Sequence, residues 1–276
     1  MRKKTVWAVL LIGVVLAMSC GDNGEKHAQQ HIKMAQIALQ KKNFSEAKLQ
    51  IDSIRLLYPK AFEARKDGIR LMQQIDLAEQ QRSLAYQDSL LVELGKVADV
   101  MKQDFVLEKD TAYQELGIYF HPSQVVEKNL YRSFLRAQVD EQGRMILTSI
   151  YSGQRNANHH AVKVVAKDGT FAVTPVSEDV WQSSDLGWKT EKADYPLGKD
   201  GGVVAFIAMN HGLQTMKVEY IGERSYISQL RPADSEAIGQ VYKLSQLLSS
   251  IEEIKKDKAE TERKIAFVER KIKENK

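Results

Sequence analysis

Cysteine is all but absent, since Cys20 is the only one in 276 residues. A single thiol can neither close an internal disulfide nor build a cysteine-based zinc site, so the fold must rest on its apolar core. Uninterrupted apolar runs are also short, none reaching the roughly 20 residues that span a bilayer as a helix. A surplus of one charge is lacking too. The formal net charge is +4 from 40 basic and 36 acidic residues. Three of the basic ones, Arg2, Lys3 and Lys4, sit at the extreme amino terminus. Without them the balance is nearly neutral, which speaks against a nucleic-acid partner, whose phosphates favour a clustered basic face.

Chemical motifs are missing as well. There is no His-Glu-x-x-His, no cysteine ligand set and no dense acidic loop, so no metal and no cofactor are expected. The adjacent pair His159 and His160 is the most tempting histidine group. Neighbours on a strand point to opposite faces, so the two do not easily share one ion. The serines in "YSGQ" and "QSSD" lack the glycine-flanked elbow of a nucleophile. Asp168 and Asp200 lie in turn-like stretches, where turn geometry explains them. Carboxylate pairs of the glycosidase kind meet in space rather than in sequence, so spacing neither shows nor excludes them.

What is present begins at the amino terminus. Arg2, Lys3 and Lys4 precede an apolar run from Val6 to Met18, the make-up of a secretory signal peptide over residues 1–19. Ala17, Met18 and Ser19 lead directly into Cys20, followed by the polar stretch "GDNGEKHAQQ". This arrangement resembles the lipobox of bacterial lipoproteins, with Leu16 one step earlier than usual and Met18 where a small residue is customary. The resemblance implies lipidation of Cys20 as the first mature residue and an outer-membrane anchor facing the periplasm or the cell surface. Asp22 and Glu25 are similar to the acidic surface-export signals of lipoproteins in the Bacteroidota. Ordinary cleavage after Ala17 or Ser19 is the alternative. The polar residues 20–30 read as a tether.

Residues 31–105 read as helices. Met34, Ile37, Ala38, Phe44, Ala47, Ile51, Ile54 and Leu57 follow a three-and-four spacing with a break near Lys42 and Asn43, which predicts an antiparallel helical hairpin. Ala35, Phe44, Ala47 and Pro59 fall near the offsets of a tetratricopeptide repeat, which this hairpin partly resembles. His31 and Ala38 occupy that repeat's tryptophan and tyrosine places, and no second copy follows. From Ala61 to about Asp104 the chain has no proline, and Leu77, Leu84, Leu91, Ala98 and Phe105 recur every seven residues. Leu94 and Met101 take companion positions, while Gln80 and Gln87 interrupt them.

The carboxyl-terminal stretch 233–276 carries a cleaner heptad pattern. Its seam is Leu244, Leu247, Ile251, Ile254, Ile265, Val268 and Ile272, interrupted by Lys258 and Thr261. Such a stripe needs a partner helix. An antiparallel coiled coil with the long helix of the same chain needs no second molecule and is the expected arrangement. A coiled-coil dimer is the alternative to the monomer.

Between the helices, residues 106–232 switch to short β-branched and aromatic runs. "GIYFH", "LYRSFLRAQV", "RMILTSIYS", "AVKVVA", "TFAVTPV", "VVAFIAMN", "TMKVEYIG" and "SYISQL" read as about eight strands, with "DEQG", "KDG", "GKDGG" and "NHG" as reversals. The expected class is α+β, with a central antiparallel β-sandwich or jelly-roll-like module between terminal helices. One loop-rich stretch, "DVWQSSDLGWKTEKADYP", places Trp181, Trp188 and Tyr195 together as candidate ligand-binding rings, with burial in the module's core as the alternative. The combined expectation is a non-catalytic, membrane-anchored binding or scaffold protein. It would present the module on a helical stalk to an envelope protein or glycan. An envelope hydrolase acting on glycan or peptide is the alternative.

Overall fold

A computed structural model of the chain describes residues 20–274, so the expected signal peptide, residues 1–19, lies outside the described residues. The described residues divide into two compact units, one formed by residues up to Ser89 and from Lys256 onward, the other by Leu90–Lys255.

The first unit is helical. Helix α1, Cys20–Gln40, packs antiparallel on α2, Phe44–Leu57, and the first turns of α3, Phe62–Lys102, complete a three-helix core. Asn43 begins α2 by accepting the Glu46 backbone N–H on its side chain at 3.2 Å, which satisfies one free donor of the helix start. The buried stripe is Ala28, Ile32, Ala35 and Ala38 on α1, facing Phe44, Ala47, Ile51 and Ile54 on α2.

Two expectations are corrected here. Residues 20–30 are helix rather than tether. Ala28 is fully buried, and Glu25 Oε1 accepts the Ala64 N–H at 2.7 Å, so this turn of α1 caps α3. Two glycines cost a helix about 1 kcal/mol each, which such burial and capping outweigh. Met34 and Ile37 are exposed, because helix α1 begins upstream and its buried phase runs through Ala28 and Ile32 instead, and Leu57, the last residue of α2, is exposed as well.

Helix α5, Pro232–Glu274, contributes to both units, as α3 does. In the first unit Lys258 Nζ meets Asp88 at 2.6 Å, and Thr261 is buried with its hydroxyl donating to Asp257 O of its own helix. The two polar interruptions of the seam are thus satisfied without a second chain. Ile254, Ile265, Val268 and Ile272 are half-buried. In the second unit Leu244, Leu248 and Ile251 are buried, with Leu247 half-buried, beside Leu91, Leu94, Ala98 and Met101 of α3.

The second unit also holds ten strands in two antiparallel sheets. The larger one has the order β1-β2-β3-β4-β8-β7, from Val106–Glu108, Ile118–Phe120, Phe134–Asp140, Met145–Gly153, Trp188–Pro196 and Val180–Asp185 for β1, β2, β3, β4, β8 and β7. The smaller runs β10-β9-β5-β6, from Tyr226–Leu230, Met216–Ile221, Ala161–Ala166 and Phe171–Val173. The chain makes a meander through β4, crosses to the second sheet for β5 and β6, returns for β7 and β8, and crosses again. This is neither a jelly roll nor a closed barrel, which corrects that part of the expected topology.

Alternation decides which side chains meet. Leu135, Ala137, Val139, Met145, Leu147, Ala193 and Tyr195 of the larger sheet share one core with Val162, Val164, Ala166, Met216, Val218 and Tyr220 of the smaller. The stretch "VVAFIAMN", expected as a strand, is helix α4, Val203–Asn210. Asp200 accepts the Val204 N–H at 2.8 Å, and Val203, Val204 and Ile207 are buried at helical spacing. The first turns of α5 enter the same core through Ile238 and Val241.

Hence α5 belongs to this unit as far as Lys255. Where the β3–β4 turn meets it, Gly143 has φ +86° and its carbonyl accepts both Ser245 Oγ at 2.7 Å and Ser249 Oγ at 3.0 Å.

Candidate functional site

The outer face of the larger sheet carries the residues that alternation excludes from the core. Register aligns Trp181 with Lys192 and Lys192 with Ile150, then Ile150 with Phe134, and Ser152 with Thr190. These side chains surround a cavity of about 170 Å³, closed on one side by the segment 122–132. Two short 3₁₀ turns, Pro122–Gln124 and Val126–Lys128, shape that segment.

Gln124 pins it in place. Its fully buried amide donates to Leu135 O at 2.9 Å and accepts the Ala137 N–H at 2.9 Å, satisfying β3 along the stretch that β2 does not reach. Asn129 holds the next turn, donating to Ser123 O and Val125 O and accepting from Arg132. Tyr131 follows with φ +56°, a left-handed conformation unfavourable for a bulky residue. Its ring is displayed at the rim, 5.5 Å from that of Trp188.

The electrostatics of this cavity are one-sided. Arg132, Arg136 and Lys192 line it. Arg132 is committed to Asp234 through two bonds of 2.6 and 2.9 Å. Arg136 lies over the Phe120 ring at 4.9 Å and Lys192 over the Trp181 ring at 5.0 Å, and neither meets a carboxylate among the described residues. Arg132 Nε, Arg136 Nε and Ser152 Oγ are all buried without a hydrogen-bond partner. Unpaired buried donors are costly, and three of them around one cavity mark a place where an acceptor from outside would be stabilised.

The candidate rings divide between the two faces. Trp181 is 50% exposed on β7, and Trp188 is half-buried on the same outer face at the start of β8. Tyr195 points the other way into the core and is 2% exposed, so it cannot be a contact ring. The stretch expected to be loop is a hairpin, turned by Leu186 at φ +47° and Gly187 at φ +85°. That pair of left-handed residues matches the twist of the strands, although Leu-Gly is not the usual sequence for it.

A second polar group lies inside the core. His159 Nδ1 meets Glu191 Oε2 at 2.9 Å, and His159 Nε2 meets Ser149 Oγ at 2.8 Å. The same carboxylate accepts the backbone N–H groups of Ala157, Asn158 and His159 at 2.8, 3.0 and 2.9 Å. Burial pushes the His159 pKa down, and the Glu191 pKa also stays low because these hydrogen bonds outweigh its own desolvation. The histidine is therefore neutral, donating from Nδ1 to the carboxylate and accepting the serine hydroxyl at Nε2.

The order serine, histidine, glutamate is that of a nucleophile relay. Yet Ser149, His159 and Glu191 are at most 1% exposed, and none of them lines the cavity beside Trp181. As placed, the group ties the 157–160 loop to β4 and β8.

Nothing in the sequence placed Ser149 or Glu191 beside His159. The turn aspartates behave as expected, Asp168 accepting the Thr170 N–H at 3.0 Å. Among the described residues no group of three or more histidine, cysteine or acidic side chains could hold a metal ion, and no helix is long and apolar enough to cross a membrane. Compared with known proteins, the chain matches no family model, no curated protein and no solved structure.

Proposed function

We propose that this chain is an exported, lipid-anchored, non-catalytic binding protein of the bacterial cell envelope. Lipidated Cys20 attaches it to the outer membrane, the helical unit follows the anchor, and the β-containing unit takes a ligand on the outer face of its larger sheet. The observation that carries the binding role is the cavity beside Trp181, where Arg136 Nε and Ser152 Oγ are buried and unpartnered among exposed aromatic rings. The anchor rests on the charged start, the apolar run and the small residues before Cys20.

Two measurements test this reading. Mass spectrometry of the mature amino terminus should find an acylated Cys20, and a free thiol there would refute the anchor. Envelope fragments should be retained by immobilised wild-type protein and lost with Trp181→Ala. Equal retention by both would refute the binding face.

One observation favours a hydrolase as the second reading, the serine–histidine–glutamate order at Ser149, His159 and Glu191. It requires an opening that exposes Ser149. Ester turnover abolished by Ser149→Ala would establish it.

A further inference from the structure

We infer that the cavity beside Trp181 takes the oxyanion-bearing ring of an acidic saccharide. Arg136 and Ser152 would receive its carboxylate or phosphate, and Trp181 and Tyr131 would flank the ring. This rests on the binding role proposed above and names the ligand class of the same site.

The chemistry follows from which polar atoms are free. The amide and carboxylate acceptors at or next to the cavity already take donors: Gln124 Oε1 takes the Ala137 N–H, Asn129 Oδ1 takes Arg132, and the nearby Asp234 takes Arg132 as well. What remains unpaired is Arg132 Nε and Arg136 Nε, both donors, and the Ser152 hydroxyl, which can donate. Lys192 adds a further cation without a carboxylate partner.

A peptide backbone brings donors and acceptors in equal number and would leave its own N–H groups unmet here. An oxyanion brings acceptors alone, and a guanidinium binds it through charge-assisted bonds. Only Arg136 is available for that pairing, because Arg132 is held by Asp234.

Size and shape point to one ring. A volume of about 170 Å³ lies below the roughly 300 Å³ at which pockets begin to enclose drug-sized ligands, so a single ring with its charged group is the matching occupant. Trp181 and Tyr131 are 50% and 53% exposed at the rim and offer apolar surface to the C–H face of a sugar. The left-handed backbone at Tyr131 is the kind of local strain that persists where a residue must be presented.

The test uses the full mature protein in detergent and reads tryptophan fluorescence. Trp181, which lines the cavity, and Trp188, whose ring stands 5.5 Å from that of Tyr131 at the rim, are the only tryptophans after Cys20. The probes are D-glucuronate, glucose 6-phosphate, glucose, inorganic phosphate and a glutamate-rich peptide. A saturable response to D-glucuronate or glucose 6-phosphate is expected, at least about tenfold tighter than to glucose or phosphate. Which of the two binds more tightly separates carboxylate from phosphoester.

Arg136→Gln and Ser152→Ala should each weaken that response by about tenfold while leaving the circular dichroism unchanged. Equal affinity for glucose overturns the oxyanion and leaves the binding role standing. Equal affinity for phosphate overturns the ring, and preference for the peptide overturns the saccharide. No saturable response to any probe overturns the inference, and the envelope-retention experiment then decides separately whether the binding role survives.

Discussion

Asp234, in the first turn of α5, receives the guanidinium of Arg132 through two hydrogen bonds and is 2% exposed. This pair joins the segment beside the cavity to the start of a helix that is distant in sequence. It also leaves the neighbouring Arg136 as the guanidinium free for a ligand, beside Lys192. The two arginines are four residues apart with opposite roles, and their substitutions should separate.

Asp234→Ala leaves a largely buried guanidinium without its acid. Breaking such a pair on one side costs about 3–5 kcal/mol. Chemical denaturation should show a loss of that order, whereas Arg136→Gln should stay within about 0.5 kcal/mol of wild type. Equal losses would contradict the division of roles.

Stability should fall on acidification. Burial holds the His159 pKa below its ordinary 6.5, so the unfolded chain takes up a proton that the folded one refuses as pH drops through that value. This contribution is therefore complete above 6.5 and declines below it. Glu191 is likewise held below its ordinary 4.5, and its share is lost at lower pH still. Thermal melts of wild type and His159→Gln from neutral to acid pH check this. The variant should be less stable at neutral pH and should show a smaller decline below 6.5, the remainder coming from His121, whose pKa burial also lowers.

Gly143 should tolerate no side chain. A Cβ there would stand 2.3 Å from Ser249 N and 2.8 Å from Ser245 O, both backbone atoms of α5, on a backbone with φ +86°. Gly143→Ala is expected to cost about 1–3 kcal/mol and lower the melting temperature. Gly169→Ala, with similar φ and open space around it, should cost only the conformational part.

The seam of α5 should respond unevenly. Leu244→Asp buries a carboxylate at a fully buried position of the core and should be the most damaging substitution along the seam, with Ile251→Asp next. Ile265→Asp and Val268→Asp fall on half-buried positions and should cost less. Light scattering should return a monomer for wild type, because Lys258 and Thr261 already find their partners within the chain.

Much of the architecture was written in periodicity. The heptads at Leu77, Leu84, Leu91 and Ala98 and at Leu244 and Ile251 announced two long helices, because one face of each has to be covered whatever covers it. Alternation announced β3, β4, β5 and β9 for the same reason. The run 203–210 misled because an apolar octet is equally compatible with a buried strand and a buried helix. Only Asp200 at its start and the packing of Val203, Val204 and Ile207 decided between them. The tether at 20–30 misled because polar residues conceal a turn whose one buried face is Ala28.

The candidate site was legible in its residue types and illegible in its grouping. Trp181 and Trp188 share the outer face with Arg136 and Ser152 only because β3, β4, β8 and β7 are neighbours in that order, which no local pattern encodes. Tyr195 left the group through strand parity, since it stands an odd number of residues from Trp188. Local sequence by itself determined element type wherever hydrophobic period was unambiguous, and it placed the one thiol, Cys20, after an apolar run. Strand order, the closing of Ser149, His159 and Glu191 around one another, and the choice of Arg136 rather than Arg132 as the free guanidinium were decided by tertiary structure. Such contacts join residues far apart in the chain, and their energies depend on burial and on which partners are already taken.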